Sequence, residues 1–202
     1  MTTHVITRRG DRLRPALSVL GEVVLERARV HEGCGAARRT LAMMVAAALE
    51  GPVLWIQPGW VPERLYMPGV RQFMQPGRLV FVTARRAEDL LWSMEEALRS
   101  GAVPLVVADL PGTPGLTPVR RLHLAAQTGA QEGQCAPVGL LLTPGDGGAQ
   151  GVESRWHMAP RHAPGLERWQ LERRRARMLP PKSWLVEHGC DGSWRITGGG
   201  AP

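Results

Sequence analysis

Lysine is almost absent from the chain. Lys182 is the single one among 202 residues, and arginine supplies the rest of the 25 basic side chains. A phosphate-binding loop that needs a lysine has no neighbouring substitute to draw on. Cysteine is also scarce: Cys34, Cys135 and Cys190 are odd in number and far apart, which argues against a disulfide framework and fits a reducing compartment. Long apolar runs are missing too. Stretches such as "VPLVVADL" fall well short of the roughly 20 residues that a membrane-spanning helix requires. The opening "MTTHVITRRGDRLRPALSVLGEVV" has arginines but no continuous apolar segment and no small-residue cleavage site, so it does not read as a signal peptide. A cytoplasmic protein with no membrane contact is expected.

With 44% hydrophobic residues the chain can bury one substantial core without staples. The net charge of +7 is unevenly spread: eight arginines against four acids in residues 1–40, eight against nine in 41–150, and nine bases against five acids in 151–202. Basic ends favour nucleic acid or acidic protein surfaces as a nonspecific term, although a GC-rich genome also produces arginine bias.

Strand-like and helix-like segments alternate from residue 30 to residue 143. "AARRTLAMMVAAALEG" reads as a helix stopping at Gly51, "PVLWIQ" as a buried strand, "VPERLYMPGV" as a short helix and "RLVFVT" as the next strand. In "RRAEDLLWSMEEALRSG", Leu90, Leu91, Met94, Ala97 and Leu98 share one helical face, with Glu88 and Asp89 in the first turn and Gly101 beyond the end. "AVPLVVADL" has the continuous apolar character of a strand buried on both faces of a parallel sheet. "LTPVRRLHLAAQTG" predicts a helix capped by Thr117, with Pro118 at its first position and its end at Gly129, and "APVGLLLT" predicts the last strand of the series. The expected fold is α/β, with a mostly parallel central sheet flanked by helices. "ESRWHMAPR", "RWQLERRRARM" and "KSWLVEH" then extend that sheet as an antiparallel meander. The expected division is a basic segment and start of the core over 1–29, the α/β core over 30–150, antiparallel strands of the same domain over 151–196, and a disordered tail over 197–202.

"VHEGCGAARRTLAM" has the spacing of a phosphate loop leading into a helix, G-x-x-x-x-G-K-[ST], with altered residues. Gly33 takes the first glycine, Arg38 replaces the second, Arg39 replaces the lysine, and Thr40 is kept. A side chain at Arg38 obstructs the curl of backbone around phosphate, and arginine is bulkier than lysine and differently shaped. Asp109, ending "VPLVVAD", is placed to hold magnesium or its water, or else is a plain turn residue.

The order of these segments resembles the RecA core, from the altered loop through "VLWIQPGWVPERLYMPGV" and "RRAEDLLWSMEEALRSGAVPLVVADL" to "RWQLERRRARMLPPKSWLVEH". More narrowly, "HEGCG", "GPVLWI", "RRLHLAAQTG" and the "RW...RRRAR...SWLVE" ending resemble the ImuA family, RecA-like accessory proteins of bacterial mutagenic repair that are also described as SulA-like. The resemblance spans roughly residues 15 to 190. It implies a RecA-like core. It also implies partners: ImuB, an error-prone DnaE-type polymerase and RecA, with DNA contact and self-association left open and action at the nucleoid. In RecA an acid after the strand that follows the loop helix is thought to activate water. Matched through Tyr66, that position falls near Gly59, where no carboxylate stands, and Gln57 is a poor base. The expectation is therefore a noncatalytic adaptor without a required cofactor, with weak ATP and magnesium binding through Thr40 and Asp109 left open. The alternatives are a RecA-like DNA-dependent ATPase and a SulA-like division inhibitor.

"LPGTPGLTP" and "PGDGGAQG" stand where RecA carries its DNA loops, but both are short and lack the aromatic and basic residues that strand binding uses. A partner or DNA surface is expected instead at Arg173, Arg174, Arg175, Arg177, Lys182 and Trp184. For Trp156, Trp169, Trp184 and Trp194 a second reading stands: they cover one face of the terminal sheet. His31 and Cys34 are three apart, but without a second pair of metal-ligand spacing no metal site is predicted.

Overall fold

The computed structural model describes residues 15–189 and 192–200. The chain opens with a hairpin, β1 (Ala16–Leu20) and β2 (Val23–Glu26), which stands apart from the main sheet as a two-stranded sheet. The sequence analysis did not foresee it. Its signals are a glycine turn, with Gly21 at φ 53°, and alternate apolar residues: Leu17, Val23 and Leu25 are buried in the core.

The main sheet contains β3 (Arg29–Cys34), β4 (Val53–Pro58), β5 (Leu79–Ala84), β6 (Leu105–Asp109), β7 (Val138–Leu142), β8 (Ser154–Pro160), β9 (Glu167–Ala176), β10 (Lys182–His188) and β11 (Trp194–Gly200). These nine strands lie in the order β11-β10-β9-β8-β3-β7-β6-β4-β5. The strands from β8 through β3 to β5 pair in parallel, and β8 to β11 pair antiparallel. The chain is thus mixed α/β, with a mostly parallel sheet extended by an antiparallel meander. β8 belongs to both halves, parallel to β3 on one side and antiparallel to β9 on the other.

Helices α1 (Arg38–Ala47), α2 (Met67–Val70), α3 (Ala87–Ser100) and α4 (Leu116–Glu132) connect the parallel strands. On one face, α1 and the hairpin cover Trp55, Leu140, Trp156, Trp169 and Trp184; on the other, α3 and α4 cover Ile56, Val106 and Leu141. The carbonyls at the end of α1 are closed by Arg78, which donates to the Ala46, Leu49 and Gly51 oxygens. α3 ends at Gly101, in the left-handed region at φ 56°, where glycine was expected.

Two boundaries differ from expectation. Thr117 is inside the first turn of α4 rather than capping it, because the helix starts at Leu116 behind Gly115. Gly129 does not stop α4, which continues to Glu132. It is a contact point instead: a Cβ there would lie 2.0 Å from the Leu98 carbonyl oxygen at the end of α3. "VPERLYMPGV" forms only the four-residue α2. The tail expected to be disordered from residue 197 continues as strand to Gly200, since main-chain pairing with β10 needs no side chains; residues 201–202 lie outside the described residues.

The tryptophans of the meander cover one face of the sheet. Trp156 and Trp184 stack with centroids 5.8 Å apart, and the guanidinium carbon of Arg173 stands 5.7 Å and 5.3 Å from their rings. Trp156 is 2% exposed. Trp156→Ala is expected to lower unfolding free energy by about 3–5 kcal/mol in urea denaturation; a loss under about 1 kcal/mol would contradict a packed stack.

Candidate functional site

The site lies where β3 turns into α1. Gly33 is the fifth of six buried residues in β3, paired with Leu142 of β7 and Trp156 of β8. A Cβ on it would meet the side chains of Leu142 at 3.2 Å and Leu41 at 3.3 Å. Glycine at this position brings α1 close to the sheet. Three residues, Gly35 to Ala37, then connect the strand to the helix. Gly35 has φ 88°, and a Cβ there would lie 2.4 Å from the Met158 carbonyl oxygen, so β8 presses directly on the loop.

A phosphate loop works because its backbone N–H groups point unpaired at the anion. Three of them are paired within the protein here. Gly35 N–H donates to the Gly145 carbonyl at 2.8 Å, Ala37 N–H to the Met158 carbonyl at 3.0 Å, and Arg38 N–H to the Gly35 carbonyl at 3.3 Å. The first partner comes from the segment after β7 and the second from β8. Both set carbonyl oxygens against amides that a phosphate would need.

Glu32 holds that arrangement. It is fully buried beside Gly33, and one carboxylate oxygen accepts from the Thr143 hydroxyl at 2.6 Å, Gly148 N–H at 2.8 Å and Ala149 N–H at 3.0 Å. The other accepts from Arg155 Nε at 2.5 Å, while Arg155 also donates to the Ala149 carbonyl. Asp146, in the same loop, is tied down by Arg174 at 2.8 Å, whose hydrogen bond holds the Asp146 carboxyl below its ordinary value. "PGDGGAQG" is therefore the cover of the loop. Glu32 was not picked out from the sequence, although a lone acid within the buried strand "RVHEGC" was the available signal, and "PGDGGAQG" was singled out only for its place in the RecA order.

Arg38, Arg39 and Asp109 do come together. Arg39 Nε donates to Asp109 Oδ2 at 2.7 Å, and Arg38 Nε lies 3.6 Å from Oδ1 and is buried without a hydrogen-bond partner. Asp109, at the end of β6, is 5% exposed. The space kept for lysine and magnesium in a phosphate site is thus taken up by an arginine–carboxylate pair. A cavity of about 210 Å³ beside it is lined by Arg38, Arg39, Gln57 and Glu63, among others. Glu63, which was not singled out from the sequence, brings a second carboxylate beside Asp109 to this wall. Gly59 itself is exposed, and its N–H is bonded to the Ala84 carbonyl. Thr40 lines a separate cavity of about 310 Å³ with Tyr66, Phe73, Trp169 and Trp194.

The arginine surface expected on the meander is split. Arg173 is 5% exposed, lies against both Trp156 and Trp184, and donates to the Pro180 carbonyl; Trp184 is 3% exposed. Neither is presented to a partner, because both are buried in the packing of the meander. Arg174 pairs with Glu172 and Asp146, and Lys182 pairs with Glu22 of the hairpin turn. Arg175 and Arg177 are exposed at the β9–β10 turn, beside exposed Met178 and Leu179.

His31 and Cys34 are both committed to the fold. His31 is neutral: Nε2–H donates to the Glu26 carbonyl at 2.9 Å, and Nδ1 accepts from the Ser154 hydroxyl at 2.7 Å, which itself accepts from Trp156 Nε1. Burial lowers its pKa from 6.5 to about 4 against the opposing effect of the Glu26 carbonyl. Burial, helped by Glu32, raises the Cys34 thiol to about 12. Among the described residues no three His, Cys, Asp or Glu side chains gather into a metal-ligand set, and no helix is long and apolar enough to cross a membrane.

No family model and no curated protein matches the chain. One solved structure that resembles it in part is SulA from Pseudomonas aeruginosa, 21% identical over 57% of this chain and 98% of that one, with a TM-score of 0.45.

Glu32→Ala is expected to cost about 3 kcal/mol, because it strands the half-buried Arg155 guanidinium and two amides. It should also speed hydrogen exchange across 143–149; an unchanged exchange pattern would contradict the anchoring role. His31 gives a pH prediction. The unfolded histidine protonates near 6.5 and the folded one only near 4. Its contribution is thus complete above 6.5 and declines as pH falls toward 4. Urea titrations at about pH 7 and pH 5 should show a smaller acid loss for His31→Gln than for the wild type, and equal losses would refute it.

Proposed function

We propose that the chain is a noncatalytic accessory protein on a RecA-type scaffold, of the ImuA kind, working in mutagenic translesion synthesis. In this reading it couples an ImuB-type partner, an error-prone DnaE-type polymerase and RecA at damaged DNA, and no bond is made or broken. The observation that carries the noncatalytic part is the pairing of Gly35, Ala37 and Arg38 N–H groups within the protein. Arg39 and Asp109 neutralise one another in the same place, so neither is free to serve a magnesium–phosphate complex without breaking a 2.7 Å contact. For the adaptor part, support comes from the β9–β10 tip. There exposed Arg175 and Arg177 lead into exposed Met178 (78%) and Leu179 (49%), a combination suited to a surface with adjoining acidic and apolar patches.

A second reading, a DNA-dependent ATPase, draws support from one observation: Glu63, Arg39 and Asp109 share a cavity of about 210 Å³. Nucleotide binding and turnover by the purified protein with magnesium, with and without single-stranded DNA, separate the two. The adaptor reading expects neither binding nor turnover, and expects Arg39→Ala to leave partner binding unchanged. DNA-stimulated turnover that Arg39→Ala removes would establish the ATPase instead. Arg175→Glu with Arg177→Glu should weaken binding to at least one of the three partners by about tenfold or more while leaving the melting temperature unchanged; full-strength binding to all three would rule out the tip as the docking site.

A further inference from the structure

The far end of the sheet has a feature that the adaptor reading does not use. Among the described residues β5 is hydrogen-bonded to β4 alone, and its other side is an edge. Its six residues, Leu-Val-Phe-Val-Thr-Ala, include no charge and no proline, the usual devices that keep an edge from pairing with another chain. Val80 is 48% and Phe81 43% exposed, on opposite faces of the strand. Gly59 N–H is bonded to the Ala84 carbonyl, which brings the exposed Trp60 to the same end of the strand. The opposite edge, β11, ends in Thr-Gly-Gly-Gly and offers little side chain to grip. β5 is thus the edge with both open main-chain groups and side chains above and below them.

Charge indicates what fits. Arg78 precedes the strand, and Arg85 and Arg86 follow it. Arg86 is paired with Glu88 and Asp89, and Arg78 is bonded to carbonyls at the end of α1, while Arg85 is exposed. A second copy of the chain pairing symmetrically about the centre of β5, between Phe81 and Val82, would place Arg78 opposite Arg85 twice. Like charges directly opposite one another destabilise a strand pair. A segment with acidic ends has the complementary pattern.

We propose that the β5 edge is a strand-addition site for an extended segment of a partner protein, with aliphatic or β-branched residues in its centre and acidic residues at its ends. Main-chain hydrogen bonds supply the attachment, Val80 and Phe81 grip alternate side chains from the two faces, and the arginines select the ends. The site is at the other end of the sheet from the β9–β10 tip and does not depend on it.

The test uses the full chain and two synthetic peptides, Glu-Val-Thr-Val-Thr-Val-Glu and its lysine-ended counterpart, read by amide hydrogen exchange. The acid-ended peptide, at up to about 1 mM, is expected to slow exchange across 79–84 by about tenfold or more and to leave β11 unaffected. The lysine-ended peptide should do neither. Phe81→Lys should abolish the protection, and exposed Thr83→Lys serves the same purpose should the first variant fail to fold. Absence of protection, equal protection by both peptides, or a concentration-dependent dimer in sedimentation that Phe81→Lys dissolves would each overturn the proposal, the last by assigning the edge to a second copy.

Discussion

A carboxylate buried at the end of a parallel strand must be satisfied, and the satisfaction of Glu32 governs the top of this molecule. Leaving it unpaired would cost several kcal/mol. Its four hydrogen bonds reach Thr143, Gly148, Ala149 and Arg155. That requirement draws the segment after β7 across the β3–α1 turn and fixes the start of β8. With both in place, the carbonyls of Gly145 and Met158 arrive at the amides of Gly35 and Ala37. The loop is closed as a consequence of one acid.

The arginines complete the change. Arginine at the lysine position forms a planar, directional pair with Asp109, where a lysine would be a compact charge able to turn toward phosphate. Arg38 adds a second cation 3.6 Å from the same carboxylate. The strand, tight turn and helix start have the outline of a phosphate loop, while the Gly35, Ala37 and Arg38 amides are spent on internal hydrogen bonds. Such a scaffold offers surfaces, and these lie at its ends: the arginine-bearing β9–β10 tip and the open β5 edge.

Much of the fold was legible in the sequence because continuous apolar runs and 3.6-residue periodicity are local signals. β6, β7 and α3 fall where "LVVAD", "VGLLL" and the Leu90–Leu98 face predict them. The site was legible only as a list. The meeting of Arg38, Arg39 and Asp109 was readable from the loop spacing, but their mutual neutralisation depends on side-chain geometry. The roles of Glu32 and of the 143–149 cover depend on contacts more than 100 residues apart in sequence. The arginine run misled for a related reason. In a strand, alternate residues face opposite sides, so Arg173 packs on the tryptophans and Arg174 turns to Asp146, while Arg175, beyond a register shift against β8, is exposed. Gly129 was misread because a glycine that ends a helix and one that admits a neighbouring backbone look the same in sequence.

The measurement that bears most directly on this account is the native-state hydrogen exchange of the Gly35 and Ala37 amides, with and without magnesium and ATP. Closure by the Gly145 and Met158 carbonyls predicts that both amides exchange slowly in the free protein and that nucleotide changes nothing. Fast exchange in the free protein, slowed when nucleotide is added, would mean that the loop is an open phosphate site and that the account is wrong.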